Sequence, residues 1–588
     1  MKIKALTGME KEWVNKIPGN SSEVKELAAA LNIGNVLANL LVQRDIKTFE
    51  QSRMFFRPAL TDLHNPFLMK NMGLATERLL SALRKNENIL IYGDYDVDGT
   101  TSVAMVYSFL KLRYSNLAFY IPDRYSEGYG ISKKAVDFAF DNNISLIIAL
   151  DCGIKAIEKV EYAKTKNIDF IICDHHTPGN ILPEAAALLD PRQPGCEYPY
   201  KDLSGCGVGF KFLQALTMNS DYQWDELIKF LDLVVVSIAS DIVPLNGENR
   251  TLAHFGLIQL NEAPCNGLKS IINLAGIENK NITIDDIVFK IGPRINAAGR
   301  MKSGNKAVEL LTAKDDHVAR EIGDVINVFN NDRKNIDRLI TGEALKMIAD
   351  DSLYAERKST VLFNPEWHKG VIGIVASRLI ETHFRPTVIL TESNGFATGS
   401  ARSVPGFDIY QVVEACSDLL ENFGGHMYAA GMTMKLENVE LFKNRFDELV
   451  SQNITQAQLS PKIEVDSLIS VKEIDGKFCR ILKQFQPFGP DNMSPVFMAR
   501  NLVSNGSVKV VGPHKEHLKM EVFSEDAHHH VFQAIAFQQS HHYNLISCGI
   551  RFDACFTIDE NEFRGNTTWQ LNIKDLKTRE DTDYSLKP

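Results

Sequence analysis

Short apolar runs alternate with helix-compatible segments between residues 88 and about 245, and this alternation limits the possible folds more than any other feature of the sequence. The runs are NILIYG, LAFYI, SLIIAL, IDFIIC and AALLD, and segments such as GIKAIEKVEYAKTKN separate them. Strands that are apolar on both faces and are connected by helices are typical of a parallel sheet covered by helices. The sequence therefore predicts an α/β domain in this region.

The remaining sequence predicts further folding units, because 588 residues are too many for one core. Residues 1–60 have helical spacing, and residues 315–350 read as one long amphipathic helix, or two in line, that connects two halves. A smaller α/β region with VLFNP, VIGIVASRLIE and PTVILTE covers about 355–455. The later runs GSVKVVG, LKMEVF, FQAIAF and WQLNIKDL favour a small antiparallel barrel.

Composition excludes several classes of protein. The N-terminal MKIKALTGMEKEWVNK lacks the apolar core of a signal peptide, and no apolar run is long enough to span a membrane, so we expect a cytoplasmic protein with no membrane partner. Nine cysteines without a CxxC pair indicate reduced, mostly structural thiols. The net charge of −10 argues against unspecific coating of nucleic acid and still permits a local basic groove.

Acidic and imidazole side chains follow four of the apolar runs. Ligands of open parallel sheets bind beyond the carboxyl ends of the strands, so these side chains are expected at one sheet edge. They are Asp94, Asp96 and Asp98 after NILIYG, Asp151 after SLIIAL, Asp174, His175 and His176 after IDFIIC, and Asp241 after VVVSIAS. A single such residue only caps a strand or begins a turn, which is how we interpret Asp190 after AALLD.

Together these residues predict a metal site. A cluster of carboxylates is destabilising unless cations or protons neutralise it. Carboxylates with one or two imidazoles and no thiolate suit Mn²⁺ or Mg²⁺. Two such ions can activate a water and stabilise the departing oxygen of a phosphoester. In this interpretation Asp96 and Asp98 each serve a different ion, which explains the crowded stretch IYGDYDVDGTT.

Longer motifs identify a family. The sequence resembles the DHH phosphoesterases, named for the triplet found here as Asp174-His175-His176, and among them the RecJ family of exonucleases. The resemblance covers nearly the whole chain and rests on the motifs DYDVDGTT, DCGI, DHH, SDIVPL, GPRINAAGRM, WHKGVIGIVASR, GSARS, FGGHMYAAG and QPFGPDN. Ser240-Asp241 replaces the Ala-Asp pair that family members often have, and this departure leaves the acid in place.

The resemblance implies a mixed α/β protein in which a long helix joins a parallel-sheet DHH domain to a smaller DHH-associated α/β domain, followed by an OB-fold barrel. The implied segments are an N-terminal helical segment (1–60), the DHH catalytic domain (61–275), a helical connector (276–350), the DHH-associated substrate-binding domain (351–458) and the OB-fold nucleic-acid-binding domain (459–588).

The implied activity is a two-metal, 5′-to-3′ exonuclease specific for single-stranded DNA, which releases 5′-mononucleotides in recombination and repair. Mn²⁺ or Mg²⁺ would be the cofactor, with a helicase and a single-strand-binding protein as possible partners. One alternative is a DHH phosphodiesterase for short oligonucleotides or cyclic dinucleotides, against which the additional barrel argues. Another is a non-catalytic DNA-binding replication scaffold, which the complete set of acids disfavours.

The resemblance also assigns site residues. It places Asp96 on one ion, Asp98, His175 and Asp241 on the other, and Asp151 between them. The remaining catalytic residues are Asp94, Asp174, which orients an imidazole, and His176, which faces the phosphate. Arg124 and Arg294 would bind a terminal 5′-phosphate, and the other DNA-binding candidates are Arg300, His368, Ser400, Arg402 and His426.

The C-terminal barrel is predicted to bind single strands by stacking bases on aromatic side chains in a basic groove. Lys509, Lys515 and Lys519 are compatible with this role. His528, His529 and His530 lack an acid or cysteine framework and are interpreted as a surface turn. Every implied catalytic group precedes residue 461, so a chain ended before the barrel is expected to retain the chemistry.

Overall fold

The computed structural model of the chain describes residues 10–524, 527–563 and 566–578. The chain forms two compact units. The first unit comprises Arg57–Ile340 together with Pro487–Asn492, and the second comprises the described residues of Met1–Phe56, Thr341–Gln486 and Met493–Pro588. Neither unit is one continuous piece of sequence.

The strands have the following bounds. They are β1 Glu12–Asn15, β2 Asn88–Gly93, β3 Leu117–Tyr120, β4 Ile144–Leu150, β5 Asp169–Cys173, β6 Ala187–Leu189, β7 Thr360–Phe363, β8 Thr387–Ser393, β9 Phe396–Arg402, β10 Leu420–His426, β11 Ala429–Lys435, β12 Lys462–Val465, β13 Ser467–Leu468, β14 Phe497–Ser504, β15 Lys509–Val511, β16 His517–Ser524, β17 Phe532–Ala536, β18 Phe552–Phe563 and β19 Asn566–Thr578.

The α-helices are α1 Ser21–Leu31, α2 Asn35–Val42, α3 Phe49–Phe56, α4 Met72–Arg84, α5 Val97–Leu110, α6 Lys133–Asp141, α7 Ile157–Lys164, α8 Gly205–Met218, α9 Trp224–Leu227, α10 Leu231–Ser240, α11 Gly247–Glu262, α12 Asn266–Ala275, α13 Ile284–Asp286, α14 Gly292–Met301, α15 Asn305–Leu311, α16 Asp316–Asp350, α17 Ile372–His383, α18 Ile409–Glu414, α19 Val439–Asn453, α20 Gly476–Lys483 and α21 Tyr543–Ser547.

A parallel five-stranded sheet forms the centre of the first unit, in the order β3-β2-β4-β5-β6. Alternate residues of β2 enter two different cores: Ile89 and Ile91 pack into one, and Leu90 and Tyr92 into the other. Because both faces of the strand are buried, its sequence is apolar throughout and not alternating. The predicted parallel-sheet domain is confirmed.

The run VVVSIAS is an exception to the strand prediction. It lies in helix α10, whose side chains are buried on every side from Leu231 to Ala239. A helix buried all round has no polar face, so its sequence cannot be distinguished by periodicity from that of a buried strand. Asp241 therefore follows a helix, and the expectation that it follows a strand of the sheet is wrong.

The second unit contains a smaller mixed sheet in the order β10-β11-β9-β8-β7, in which only the β7–β8 pair is parallel among the described residues. This sheet confirms the predicted second α/β region. The N-terminal segment is not wholly helical, because β1 pairs in parallel with β12. A four-residue strand with one partner has too weak a pattern to be recognised in the sequence.

The C-terminal region is a closed barrel. Strands β14, β18, β19, β17 and β16 pair in that order, and β16 pairs again with β14. Five strands in a closed ring are typical of an OB-fold. The barrel is not purely antiparallel as predicted, since β17 and β19 run in parallel.

Helix α16 confirms the long amphipathic helix predicted for residues 315–350. Within the described residues, no helix combines the length and apolar character that crossing a membrane requires. All nine cysteines are free, as expected for reduced thiols.

Candidate metal centre and substrate-binding residues

The three aspartates of DYDVDG occupy a strand-to-helix turn. Strand β2 ends at Gly93, Asp96 caps helix α5 by accepting the Gly99 amide at 3.1 Å, and Asp98 lies in the first helical turn. A strand end and a helix start therefore place the three carboxylates. A Cβ at position 99 would lie 2.3 Å from the Asp94 carbonyl oxygen, so only glycine allows this close turn.

Asp98 is held by donors that the sequence did not reveal. Its Oδ2 accepts the Gly205 amide at 2.7 Å, and its Oδ1 accepts the Cys206 amide at 2.8 Å and the Ser237 hydroxyl at 2.7 Å. The first two donors are the free amides at the N-terminus of helix α8, a position that favours an anion. The sequence feature that could have indicated this anion-binding helix start is the serine-glycine pair 204–205, because serine is a common helix N-cap.

His175 is the point at which the acids converge. Its Nε2 lies 3.2 Å from Asp151 Oδ1, 3.6 Å from Asp241 Oδ2 and 3.8 Å from Asp98 Oδ2. The ligand atoms of Asp98, His175 and Asp241 all lie within 4.8 Å of one another, as do those of Asp151, His175 and His176. Within the part of the chain that the structure describes, the buried Nε2 of His175 has no hydrogen-bond partner. Carboxylates around an unpartnered imidazole nitrogen fit a divalent cation such as Mn²⁺ or Mg²⁺.

Asp174 lies behind the imidazoles and organises them. Its Oδ2 accepts the Ile154 amide at 2.8 Å, while its Oδ1 accepts the His175 amide at 2.8 Å and faces Nδ1 of His176 at 2.7 Å. Burial alone would raise the pKa of Asp174, but the hydrogen bond and charge of His176 lower it to about 2. Burial likewise opposes protonation of His176, and Asp174 outweighs it by raising the pKa of His176 to about 9. This geometry supports the orienting role predicted for Asp174.

The other carboxylates repel one another. Burial, followed by the charges of neighbouring aspartates, raises the pKa of Asp94, Asp96 and Asp151 above the ordinary aspartate value. The same causes raise the pKa of Asp241 to about 8. In Asp94 the Tyr95 and Gly130 amides and Arg124 act in the opposite direction. The cluster is thus a site at which positive charge is stabilising.

Tyr129 is a second group that the sequence did not reveal. Its hydroxyl lies 3.0 Å from Nε2 of His176 and 3.4 Å from the Asp151 carbonyl oxygen. The tyrosine and His176 line a groove of ≈ 480 Å³, which Lys133 and Lys155 also border. The groove is therefore continuous with the metal centre. A tyrosine within a loop gives no chemical signal until the loop is folded.

Asp190 agrees with its interpretation as a turn residue. It is fully buried at the end of β6, and its Oδ1 accepts the Arg192 amide at 2.6 Å. Burial raises the pKa of Asp190 to about 7, with a further contribution from the charge of Asp174.

The predicted arginines of the first unit have different surroundings. The Arg124 guanidinium lies over the Tyr95 ring, 5.0 Å from its centroid. Burial raises the pKa of Tyr95 to about 12, and the charges of Arg124 and Arg300 oppose this rise, which places both arginines beside the acidic turn. Arg294 instead donates to the Lys290 carbonyl at 2.7 Å and the Leu274 carbonyl at 3.2 Å. Arg294 thus has a structural role in addition to its predicted one.

Ser400, Arg402 and His426 share one face of the smaller sheet. Arg402 and His426 both pair with Ala429 on β11, and residues directly opposite on antiparallel strands point to the same face. Arg402 donates to the Ser400 hydroxyl at 3.0 Å. Gly373 leaves room for both side chains, because a Cβ there would lie 2.9 Å from Ser400 Oγ.

His368 is half-buried near the start of helix α17, where its Nδ1 accepts the Gly370 amide at 3.1 Å. On the barrel, Lys509 and Lys519 are exposed and directly opposite each other on β15 and β16. Lys515 is exposed between them in sequence. The histidine run 528–530 is an exposed turn, as predicted.

Family comparisons agree with this organisation. Residues 88–238 match the DHH family N-terminal domain, residues 356–452 match the DHHA1 domain, and residues 465–575 match the RecJ OB domain. Each match lies inside the corresponding range predicted from the sequence, while the outer limits of those ranges remain predictions.

Comparisons with single proteins extend over most of the chain. The chain is 36% identical to the single-stranded-DNA-specific exonuclease RecJ of Bacillus subtilis strain 168 over 97% of its own length and 71% of that protein. It is 34% identical to the corresponding protein of Salmonella typhimurium, over 85% of this chain and 89% of the relative.

Solved structures of RecJ proteins are similar to this chain in fold. The crystal structure of RecJ from Thermus thermophilus in complex with Mn²⁺ superposes with a TM-score of 0.81 at 24% identity, covering 96% of this chain and 79% of that one, and so shows the same fold. A crystal structure of exonuclease RecJ bound to manganese covers 68% of this chain and 100% of its own, with a TM-score of 0.59 and 29% identity. The chain belongs to the RecJ family of single-stranded-DNA-specific exonucleases.

Proposed function

We propose that the chain is a metal-dependent exonuclease that degrades single-stranded DNA from its 5′ end, releasing 5′-mononucleotides in recombination and repair. The observation that carries the proposal is the convergence of Asp98, Asp151 and Asp241 on Nε2 of His175, within 3.2 to 3.8 Å, in a chain of the RecJ family. Three separate segments supply these carboxylates, and such a cluster of negative charges is destabilising unless cations or protons neutralise it.

Two divalent cations, Mn²⁺ or Mg²⁺, are the proposed cofactor. Asp98, His175 and Asp241 would hold one ion, Asp96 the other, and Asp151 would lie between them. When bound, such ions activate a water molecule and neutralise charge on a phosphodiester. The unpartnered Nε2 of His175 and the absence of thiolates around it in the described structure support this assignment.

The protein's own side chains then orient the reacting groups. Asp174 fixes the His176 ring through Nδ1, and Tyr129 lies at its Nε2, so the imidazole is held from both sides. The His176 side chain is 43% exposed, which leaves it accessible to a scissile phosphate. We assign Asp94 to the electrostatic balance of the site, because Arg124 lies near enough to counter its charge.

Substrate binding is assigned to basic and polar groups in each of the two units. In the first unit Arg124 and Arg294 would bind the 5′-phosphate, and Arg300 is a further proposed DNA-binding residue. In the second unit Ser400, Arg402, His426 and His368 would bind the DNA backbone, and guanidinium forks suit phosphate oxygens. The barrel, with Lys509, Lys515 and Lys519, would bind the strand beyond the cleavage site.

The test is a digestion of end-labelled DNA. We expect purified protein with Mn²⁺ to remove a 5′ label from single strands at once, to shorten 3′-labelled strands progressively and to leave blunt duplex intact. The Asp151→Asn variant is the matched control, since its backbone and size are unchanged. Preferential loss of the 3′ label, or equal digestion of duplex, would contradict the proposal.

The proposed substrate determines the proposed partners and location. A helicase produces single-stranded DNA by unwinding duplex, and single-strand-binding protein then coats it. We therefore propose that these two proteins deliver the substrate, in the cytoplasm. Adding each purified protein to a digestion of partial duplex tests this, and an unchanged rate with both would contradict it. Cell fractionation tests the location.

A further inference from the structure

A short turn from the C-terminal half of the sequence packs against the segment that carries a metal ligand. Pro487–Asn492 belongs to the first unit, although the residues on both sides of it in sequence belong to the second. Within this unit the Leu245 amide donates to the Pro490 carbonyl at 2.8 Å, and Asn246 Nδ2 donates to Asp491 Oδ2 at 3.1 Å. Arg250 donates to the Pro487 carbonyl at 3.3 Å.

The loop that receives the turn, residues 241–246, begins at Asp241 and is strained. Asp241 caps helix α10, and its amide donates to the Ser237 carbonyl at 2.9 Å. The next residue, Ile242, has a φ of 59° and is 65% exposed. The left-handed region is sterically unfavourable for a β-branched residue, so surrounding contacts must enforce this conformation.

Leu245 is the anchor on the far side of the strained residue. It is 1% exposed and packs on Gly489, where a Cβ would lie 2.3 Å from Leu245 Cδ1 and 3.1 Å from Cγ. The turn has a defined shape, since Asn492 is 2% exposed and donates through Nδ2 to the Pro487 carbonyl at 2.8 Å. The left-handed Asp491, with a φ of 59°, completes it.

We infer that Pro487–Asn492 is a positioning element for the metal centre: it holds the 241–246 loop in the strained conformation that directs the Asp241 carboxylate at His175. This inference rests on the proposed function, because it concerns the ion held by Asp98, His175 and Asp241. Loosening the turn would let Ile242 relax and would turn Asp241 away. Partners that only orient a ligand typically change metal affinity about 10- to 100-fold.

The first experiment measures Mn²⁺ binding by calorimetry for the full-length protein and for Gly489→Val, together with melting temperatures in EDTA. We expect the variant to remain folded and to bind Mn²⁺ at one of its two sites at least about 10-fold more weakly. Gly73→Ala is the matched control, because a Cβ there meets no atom within 4 Å, and it should bind as the wild type does. Unchanged Mn²⁺ affinity in Gly489→Val would overturn the inference.

A second pair of variants covers the case in which Gly489→Val does not fold. Asp491→Gly tolerates the left-handed backbone and removes the acceptor of Asn246, whereas Asp491→Asn keeps an oxygen in its place. Weakened Mn²⁺ binding in Asp491→Gly that recovers in Asp491→Asn supports a positioning role, and equal affinity in both overturns it. Failure of the wild type to bind Mn²⁺ would instead overturn the proposed function, so the two failures are distinguishable.

Discussion

Asp98 and Asp151 are neighbouring carboxylates with opposite surroundings. Three donors from helices α8 and α10 fix the orientation of Asp98 before any ion binds. Asp151 lies 3.2 Å from His175, and its pKa is raised by burial and then by the charges of other aspartates. Metal binding therefore relieves repulsion within a framework that is already ordered.

The Asp151→Asn substitution tests this difference. Asparagine tolerates the left-handed backbone of position 151, where φ is 59°, so the fold should survive. Hydrolysis should fall by at least about 10²-fold, since even partners of metal ligands are worth 10- to 100-fold. Melting in EDTA should be unchanged or higher because one repelled charge is removed. Substantial turnover at saturating Mn²⁺ would contradict the assignment.

Asp241 predicts a pH dependence of the metal-free protein. Burial, then Asp98 and Asp96, raise the pKa of Asp241 from 3.8 to about 8. A carboxyl group whose pKa is raised in the folded state stabilises the fold fully at a pH below its unfolded pKa. This contribution to the free energy of unfolding is lost as the pH rises through its folded pKa. In EDTA, the melting temperature should therefore fall between about pH 4 and about pH 8 more steeply in wild type than in Asp241→Asn. Parallel profiles would refute it.

Arg124 predicts selectivity for the 5′ end group. Its guanidinium packs on Tyr95, beside the acidic turn. If it binds a terminal phosphate, Arg124→Ala should slow digestion of 5′-phosphorylated strands more than of 5′-hydroxyl strands, by about 10-fold for a lost charge-assisted hydrogen bond. Arg113→Ala is the control, since Arg113 pairs with Glu226 at 2.7 Å. An equal effect on both substrates would indicate general attraction only.

At the scale of elements, the sequence predicted what depends on local patterns. The strands of the parallel sheet were recognisable because both faces are buried and the runs are short. Helix α10 was not, because its continuous burial removes the helical period. The donors to Asp98 were also hidden, since Gly205 and Ser237 are 107 and 139 residues away in sequence. Only the packing of α8 and α10 brings them together.

Ser237 on α10 gives a prediction about this packing. Its hydroxyl donates to Asp98 Oδ1 at 2.7 Å, and its Oγ lies 2.7 Å from the Ser204 hydroxyl oxygen. Ser237→Ala should weaken Mn²⁺ binding about 10- to 100-fold, as expected for a partner that orients a ligand. Ser270→Ala, another buried helical serine, is the control and should bind as the wild type does. If calorimetry shows that Ser237→Ala and Ser270→Ala lose the same Mn²⁺ affinity, the effect comes from a loss of packing alone.

At the scale of the whole molecule, the compact units do not follow the order of the sequence. The N-terminal β1 pairs with β12, about 450 residues later, and Pro487–Asn492 belongs to the first unit. The linear order of sequence motifs cannot show that a segment belongs to a unit formed by distant parts of the chain. The expectation that every catalytic group precedes residue 461 stays a prediction, and our inference adds Pro487–Asn492 as a positioning element that lies beyond that residue.

Two truncations separate the turn from the barrel. A chain ended at residue 496 keeps β12 and the turn but loses the barrel strands β14 to β19, whereas a chain ended at residue 460 loses all of them. The longer truncation should cleave short oligonucleotides at nearly the full rate and lose affinity for long strands, because each stacked base contributes about 1 to 3 kcal/mol. The shorter one should also need more Mn²⁺, since Leu245 and Asn246 lose their partners.

The measurements are cleavage and binding of short and long single strands across a salt series and an Mn²⁺ titration, after circular dichroism has shown that both truncated chains are folded. Loss of the barrel should reduce the salt dependence of binding to long strands, because phosphate contacts release counterions. If both truncations retain the full-length Mn²⁺ requirement, the turn does not act on Asp241. If the longer truncation loses affinity equally for every strand length, the barrel does not bind DNA beyond the cleavage site and serves the fold alone.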